Sequence, residues 1–249
     1  MVRYFIHLAY DGGAYHGWQI QTNAITVQEL LNKALTILVK ENVETTGCGR
    51  TDTGVHARNF YAHFDCSEPI NDISRFLHAF NALLPYDISV YQVFAVHETA
   101  HARFDATSRT YEYHICDRKE AFERDYAFHF FKPLDLDTMN QAAALLLQHR
   151  DFACFNKMGG SQNGTECTVT EAEWKKSGYK LVFTISANRF LRNMVRAVVG
   201  TLLEVGEGKL SLSEFSQILN SGDRSEAGAS VPANGLFLTK VDYPFVVSQ

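Results

Sequence analysis

Apolar and polar positions change period several times along the chain, and the changes divide it into elements. Tyr4 to Tyr10 alternates apolar with mixed positions, which predicts a half-buried strand. Thr26-Val27-Gln28-Glu29 reads as a capping box, after which Val27, Leu30, Leu31, Ala34, Leu35 and Leu38 recur at helical spacing. Phe60, Ala62 and Phe64 mark one face of a strand over Arg58 to Asp65. Ile73, Phe76, Leu77 and Phe80 predict a second helix, stopped by Pro85, and Ile88 to Val96 a further strand.

The second half follows a similar plan. Arg109 to Cys116 reads as a strand with Tyr111, Tyr113 and Ile115 on one face. Met139, Ala142, Ala143, Leu146 and Leu147 mark a helix, and Ser177-Gly178 turns a hairpin between Glu171–Lys175 and Lys180–Ala187. Arg189 to about Glu204 is predicted helical, carrying Phe190, Met194, Ala197, Val198 and Thr201 on one side. Ser211-Leu212-Ser213-Glu214 is a second capping box, ahead of Phe215, Ile218 and Leu219. Gly222 to Gly235 reads as a loop, and Leu236 to Tyr243 as a last strand. The expectation is an α+β fold. Its two similar split β-α-β lobes, residues 1–105 and 106–249, have mainly antiparallel sheets joined around a central cleft.

Composition narrows the class. A chain of 249 residues, 46% hydrophobic and 20% charged, suits a soluble globular protein with a full core. No apolar run reaches the roughly 18 residues that would span a bilayer, so no membrane role is expected. Met1 to Leu8 is too short and too soon polar for a signal peptide and reads as the first strand. Five cysteines without CxxC or zinc spacing suggest free thiols in a reducing cytoplasm. A net charge of −5 weighs against a nucleic-acid partner, although it describes the average and not the distribution.

The stretch from Gly47 to Ala57 is the most unusual. It holds three glycines, two hydroxyls, Arg50, Asp52 and His56 between two predicted strands. By residue type alone it reads as a tight turn with Asp52 as turn former, and the lack of a following Gly-Lys-Ser/Thr excludes a P-loop. Read whole, Gly49-Arg50-Thr51-Asp52-Thr53-Gly54-Val55-His56-Ala57 resembles the signature of the tRNA pseudouridine synthase A family. The resemblance extends through Tyr10-Asp11-Gly12 with Gly17-Trp18-Gln19, Asn81 to Pro85, His101-Ala102-Arg103-Phe104-Asp105-Ala106 and Arg109 to Tyr113. Asp151-Phe152, Phe190 to Arg196 and Pro232 to Leu236 complete it. Ala100, where the family pattern has an aromatic, and Thr165 to Val169 depart from it.

The resemblance implies a cofactor-free, metal-free isomerase that turns uridine into pseudouridine at positions 38 to 40 of the tRNA anticodon arm. It also implies a homodimer whose two subunits hold one tRNA. Asp52 is implied as the nucleophile, since a carboxylate can split glycosidic chemistry through a covalent intermediate. Arg196, by type a solvated helix arginine, is implied as its charge partner. Arg50 is implied to enter the RNA stack when the target nucleotide leaves. Tyr111, which by residue type alone reads as core, is implied to stack on the uracil and to offer a hydroxyl for proton relay. Tyr113 keeps its core reading. Arg103, Arg109 and Arg192 flank the matched blocks and are expected on the RNA, alongside Arg58 and Arg189. His56 and Asp11 are read as braces of the loop, and Trp18 and Gln19 as its buttress. Two rivals remain: a hydrolase using Asp52 with His56 around a metal, and a non-catalytic RNA-binding module.

Overall fold

A computed structural model of the chain describes residues 1–157 and 164–245. These divide into two compact units: Met1–Thr107 together with the chain from Phe237 onward, and Ser108–Leu236. The first unit carries β1 (Val2–Tyr10), α1 (Val27–Val39), β2 (Thr46–Gly47), β3 (His56–Cys66), α2 (Ile73–Leu83) and β4 (Ile88–Val96). The second carries β5 (Ser108–Cys116), β6 (Phe128–His129), α3 (Leu136–Leu146), β7 (Val169–Ser177), β8 (Lys180–Ala187), α4 (Met194–Gly206) and α5 (Leu212–Ser221). Strand β9 (Leu236–Asp242) begins on the last residue of the second unit and then belongs to the first. The structure is thus mixed α and β with mostly antiparallel strand pairs.

In the first unit β1 pairs antiparallel with both β4 and β3, and β2 pairs antiparallel with one end of β3. Strand β3 therefore lies between β1 and β2, the two strands that α1 connects, which is a split β-α-β arrangement. The last strand was expected in the second lobe. It joins the first unit because His56 and Ala57 of β3 pair in parallel with Phe237 and Leu238. In the second unit β8 lies between β5 and β7, antiparallel to both, with α3 connecting the two outer strands.

Local signals set most boundaries. Ser211 and Glu214 close a full capping box, with Glu214 N–H donating to Ser211 Oγ at 3.2 Å and Ser211 N–H to Glu214 Oε2 at 2.7 Å. At α1, Thr26 Oγ1 accepts from Glu29 N–H at 3.4 Å, while the Glu29 carboxylate takes Lys33 at 2.5 Å. The helix predicted from Arg189 starts later, at Met194. Asn193 stands at φ 64°, in the left-handed region that a helix cannot continue through, so Phe190 falls in the connection before it. From Met194 onward α4 is buried on nearly every side, including Ala197, Val198, Val199, Leu202 and Leu203, as a helix apolar all round must be.

Strand β3 shows where the alternating pattern underestimates burial. Phe60, Ala62 and Phe64 are buried as expected, but so are Tyr61 and His63 on the opposite face. That face is covered by the turn at 100–105 and by Tyr243, whose ring meets Tyr61 at 5.2 Å. His63 Nδ1 accepts the Ala102 N–H at 3.0 Å, and Arg3 clamps Asp65 with two bonds of 2.8 and 2.7 Å. Burial pushes the His63 imidazole down to about 4, with Arg3 and His101 acting in the same direction and Asp65 and Asp105 opposing. The unfolded chain, with histidine near 6.5, takes up this proton first, so stability should fall as pH drops from about 6.5 toward 4. His7 and His101, also lowered by burial, add to the same slope. Urea unfolding midpoints followed from pH 7 to 4 should decline less steeply in His63→Gln, whose amide oxygen keeps an acceptor. An unchanged slope would remove His63 as a source.

Candidate active site

The segment 48–55 between β2 and β3 is held from both sides by the chain that follows β1. Cys48 N–H donates to Tyr61 O at 2.7 Å and fixes its start. Thr51 is buried, its hydroxyl 2.9 Å from the Tyr10 hydroxyl and its carbonyl accepting Trp18 N–H at 3.3 Å. Val55 N–H donates to Asp52 O at 3.1 Å, closing a turn, and Gly54 N–H donates to Tyr15 O at 3.3 Å. Two glycines make this approach possible. A Cβ on Gly12 would strike the Val55 carbonyl, and one on Gly17 the Thr51 carbonyl; Gly17 also stands at φ 85°. Asp52 is left half-buried between anchored neighbours, and Arg50 is exposed. A carboxylate so placed has little backbone freedom to lose when it is used.

The expected braces divide. Trp18 is 3% exposed and stacks on Phe60 at 4.3 Å, beneath the loop. Gln19 is exposed, while Gln28 ties the flanking chain, donating to Thr45 O at 2.6 Å and accepting Ile20 N–H at 3.0 Å. His56 is buried, its Nδ1 within reach of both Gly12 N at 3.0 Å and Asp11 Oδ1 at 2.9 Å. One nitrogen cannot accept from the amide and donate to the carboxylate at once, so the Asp11 contact is an ion pair only with the ring protonated. Its other support is Phe237 of β9, stacked at 4.7 Å, over which the Arg58 guanidinium also lies at 4.6 Å. Strand β3 accordingly begins at His56, two residues earlier than its pattern suggests.

The second unit gathers its candidates around one end of β5. Arg109 pairs across to Ala187 and donates to Asn188 O at 2.8 Å. Tyr111 lies opposite Ile185, its ring edge-on to Phe190 at 5.2 Å. Tyr113, two residues on, is wholly buried and donates to Pro232 O at 2.8 Å, and burial pushes its phenol up. Arg192 is exposed just before α4, and Arg196 lies in the first turn of that helix. Arg196 Nε donates to Val231 O at 2.8 Å while Val231 N–H returns a bond to Arg196 O at 3.2 Å. Ser230 Oγ in turn takes Asn193 Nδ2 at 2.5 Å and Arg224 Nη2 at 3.1 Å. Residues 227–232 thus form a strap across α4 that sets the Arg196 guanidinium. Sequence reasoning missed Ser230, since its partners are 6 and 37 residues away and no period links them.

All five cysteines are buried thiols. Burial pushes Cys154 up to about 12 and Cys167 to about 11, which leaves them unreactive at neutral pH. Among the described residues no three His, Cys, Asp or Glu side chains form a group that would hold a metal ion. No helix among them is long and apolar enough to cross a membrane.

Residues 142–244 match the family model for tRNA pseudouridine synthase, which sets the class. A tRNA pseudouridine synthase A from Bacteroides fragilis is 51% identical over 97% of this chain and 96% of its own. Its counterpart from Parabacteroides distasonis is 47% identical over 98% of this chain and 97% of its own. One from Thermoanaerobacter pseudethanolicus is 42% identical over 96% and 98%. The chain belongs to the tRNA pseudouridine synthase A family.

Proposed function

We propose that this chain isomerises uridine to pseudouridine in tRNA, at positions 38 to 40 of the anticodon stem-loop, with Asp52 as nucleophile. The observation that carries the reading is likeness along nearly the whole chain to relatives bearing that name. The anchored Gly49–Ala57 loop supports it, because it places a half-buried carboxylate on a fixed backbone. The reaction breaks the glycosidic bond from C1′ to N1, turns the base, and joins C1′ to C5. N1 gains a proton and C5 loses one, so no electron acceptor is consumed.

Each candidate then has a part. Arg196, its guanidinium set by the strap, keeps the nucleophile ionised where water is excluded. Arg50 fills the space that the extruded nucleotide leaves, at a cost of a few kcal/mol for unstacking. Tyr111 stacks on the uracil. Arg103, Arg109 and Arg192 contact phosphates and give an acidic chain a local basic surface. The protein acts in the cytoplasm as a homodimer that binds one tRNA and requires no cofactor or metal.

Tritium release from C5-labelled uridine in unmodified tRNA tests the reading directly. Release should proceed at full rate in EDTA, and loss on chelation restored by a divalent ion would favour a metal-dependent hydrolase. Tyr111→Phe separates two uses of one side chain, since it keeps the ring and removes the hydroxyl. Turnover should fall about 100-fold or more if the hydroxyl relays a proton, because general acid–base catalysis typically contributes that much. Full activity would leave stacking alone.

A further inference from the structure

The turn at 101–105 holds an exposed aromatic ring on a backbone fixed by several hydrogen bonds. His101 Nδ1 accepts the N–H groups of Arg103 at 3.1 Å and Phe104 at 3.2 Å. His101 N–H donates to Asp105 Oδ2 at 2.7 Å, and Asp105 N–H returns to His101 O at 3.0 Å. Behind it, Ala102 gives its N–H to His63 at 3.0 Å and receives the Tyr243 hydroxyl on its carbonyl at 2.5 Å. Arg3 holds the Ala100 carbonyl at 3.0 Å. On this frame Phe104 is 72% exposed, with one side of its ring on His101 at 4.2 Å. The Arg103 guanidinium lies 5.8 Å from the ring centroid.

A large apolar ring held in water by a rigid turn is not explained by packing. Its exposed neighbours in the chain, His97, Glu98, Thr99, Arg103 and Thr107, are polar. An aromatic face beside a guanidinium suits a flat, electron-rich, anionic polymer: the base offers a π-face and the backbone a phosphate. Of the nearby acids, Asp65 is engaged by Arg3 and Asp105 by His101 N–H, while Glu98 is exposed. We infer that Phe104 is a stacking platform for an unpaired nucleobase of the RNA substrate, with Arg103 on the adjoining phosphate. The inference rests on the tRNA reading and adds a contact away from the reacting uridine.

Because the ring is a preformed platform, its worth should appear in binding. Phe104→Ala should raise the Kd for unmodified tRNA about 5- to 150-fold, the range found when stacked aromatics are truncated. Phe104→Trp should stay within about 2-fold of the wild type, as an exposed conservative change does, whereas Phe104→Leu should resemble Phe104→Ala. Urea midpoints of all three should match the wild type, which removes misfolding as a cause. Leu binding as well as Phe would overturn stacking, and unchanged binding by Phe104→Ala would overturn the site. Sedimentation without RNA supplies another check, since dissociation of Phe104→Ala would assign the ring to a second copy of the chain. If the wild type itself forms no pseudouridine in the same tRNA, the underlying reading fails; if it does and Phe104→Ala binds normally, only this inference fails.

Discussion

Asp52→Asn is expected to abolish multiple turnover while leaving the fold and tRNA binding nearly intact. The amide keeps the volume of the side chain and most of its hydrogen bonding but removes the nucleophilic charge. The backbone anchors of the loop, through Thr51, Gly54 and Val55, do not involve the carboxylate, so the loop should keep its course. Asp52→Glu keeps the charge and displaces it by one methylene, and misplacement on that scale costs about 100-fold. The measurement pairs tRNA affinity with pseudouridine yield for each purified variant. Retained turnover in folded Asp52→Asn would sink both the mechanism and the location of the site.

Arg196→Lys should be the second most damaging change. Lysine keeps one positive charge but loses the planar fork, and with it the Nε bond to Val231 O that sets the guanidinium. Single-turnover rates at saturating protein should drop by at least about 100-fold, the scale of a misplaced catalytic group. Ser230→Ala spares Arg196 but removes the hydroxyl that gathers Asn193 and Arg224. Its loss should be nearer 5-fold, as one hydrogen-bonded group contributes about 1 kcal/mol. A lysine variant that is folded and within a few-fold of the wild type would remove Arg196 from the proposed chemistry.

Periodicity exposed the strands and most helices because their signals are local. The Ser211–Glu214 box lies within four residues, and the core stripe of α1 within thirteen. It failed at Phe190, which stands at helical spacing from Met194 although Asn193 between them turns left-handed; a backbone angle leaves no mark on an apolar count. It also failed at Tyr61 and His63, buried by chain some 40 and 180 residues further on. The Asp52 loop was legible as a motif but not as geometry. The close passage of Gly12 and Gly17 that holds it depends on contacts with Val55 and Thr51, which no spacing rule encodes. The strap over α4 was read only as a glycine-bearing loop, because its hydrogen bonds join Ser230 to distant partners.

The late return of β9 to the first unit has a consequence for biosynthesis. The Asp52 loop and its β1 neighbours leave the ribosome early, but Phe237, which stacks on His56, is made 130 residues after Thr107. At bacterial or eukaryotic elongation rates that interval is on the order of ten seconds. During it the nascent first unit lacks the parallel partner of His56 and Ala57, and one end of β3 stays open. The loop therefore acquires its full support only once nearly the whole chain has been translated, so an incomplete product carries Asp52 without the frame that steadies its loop.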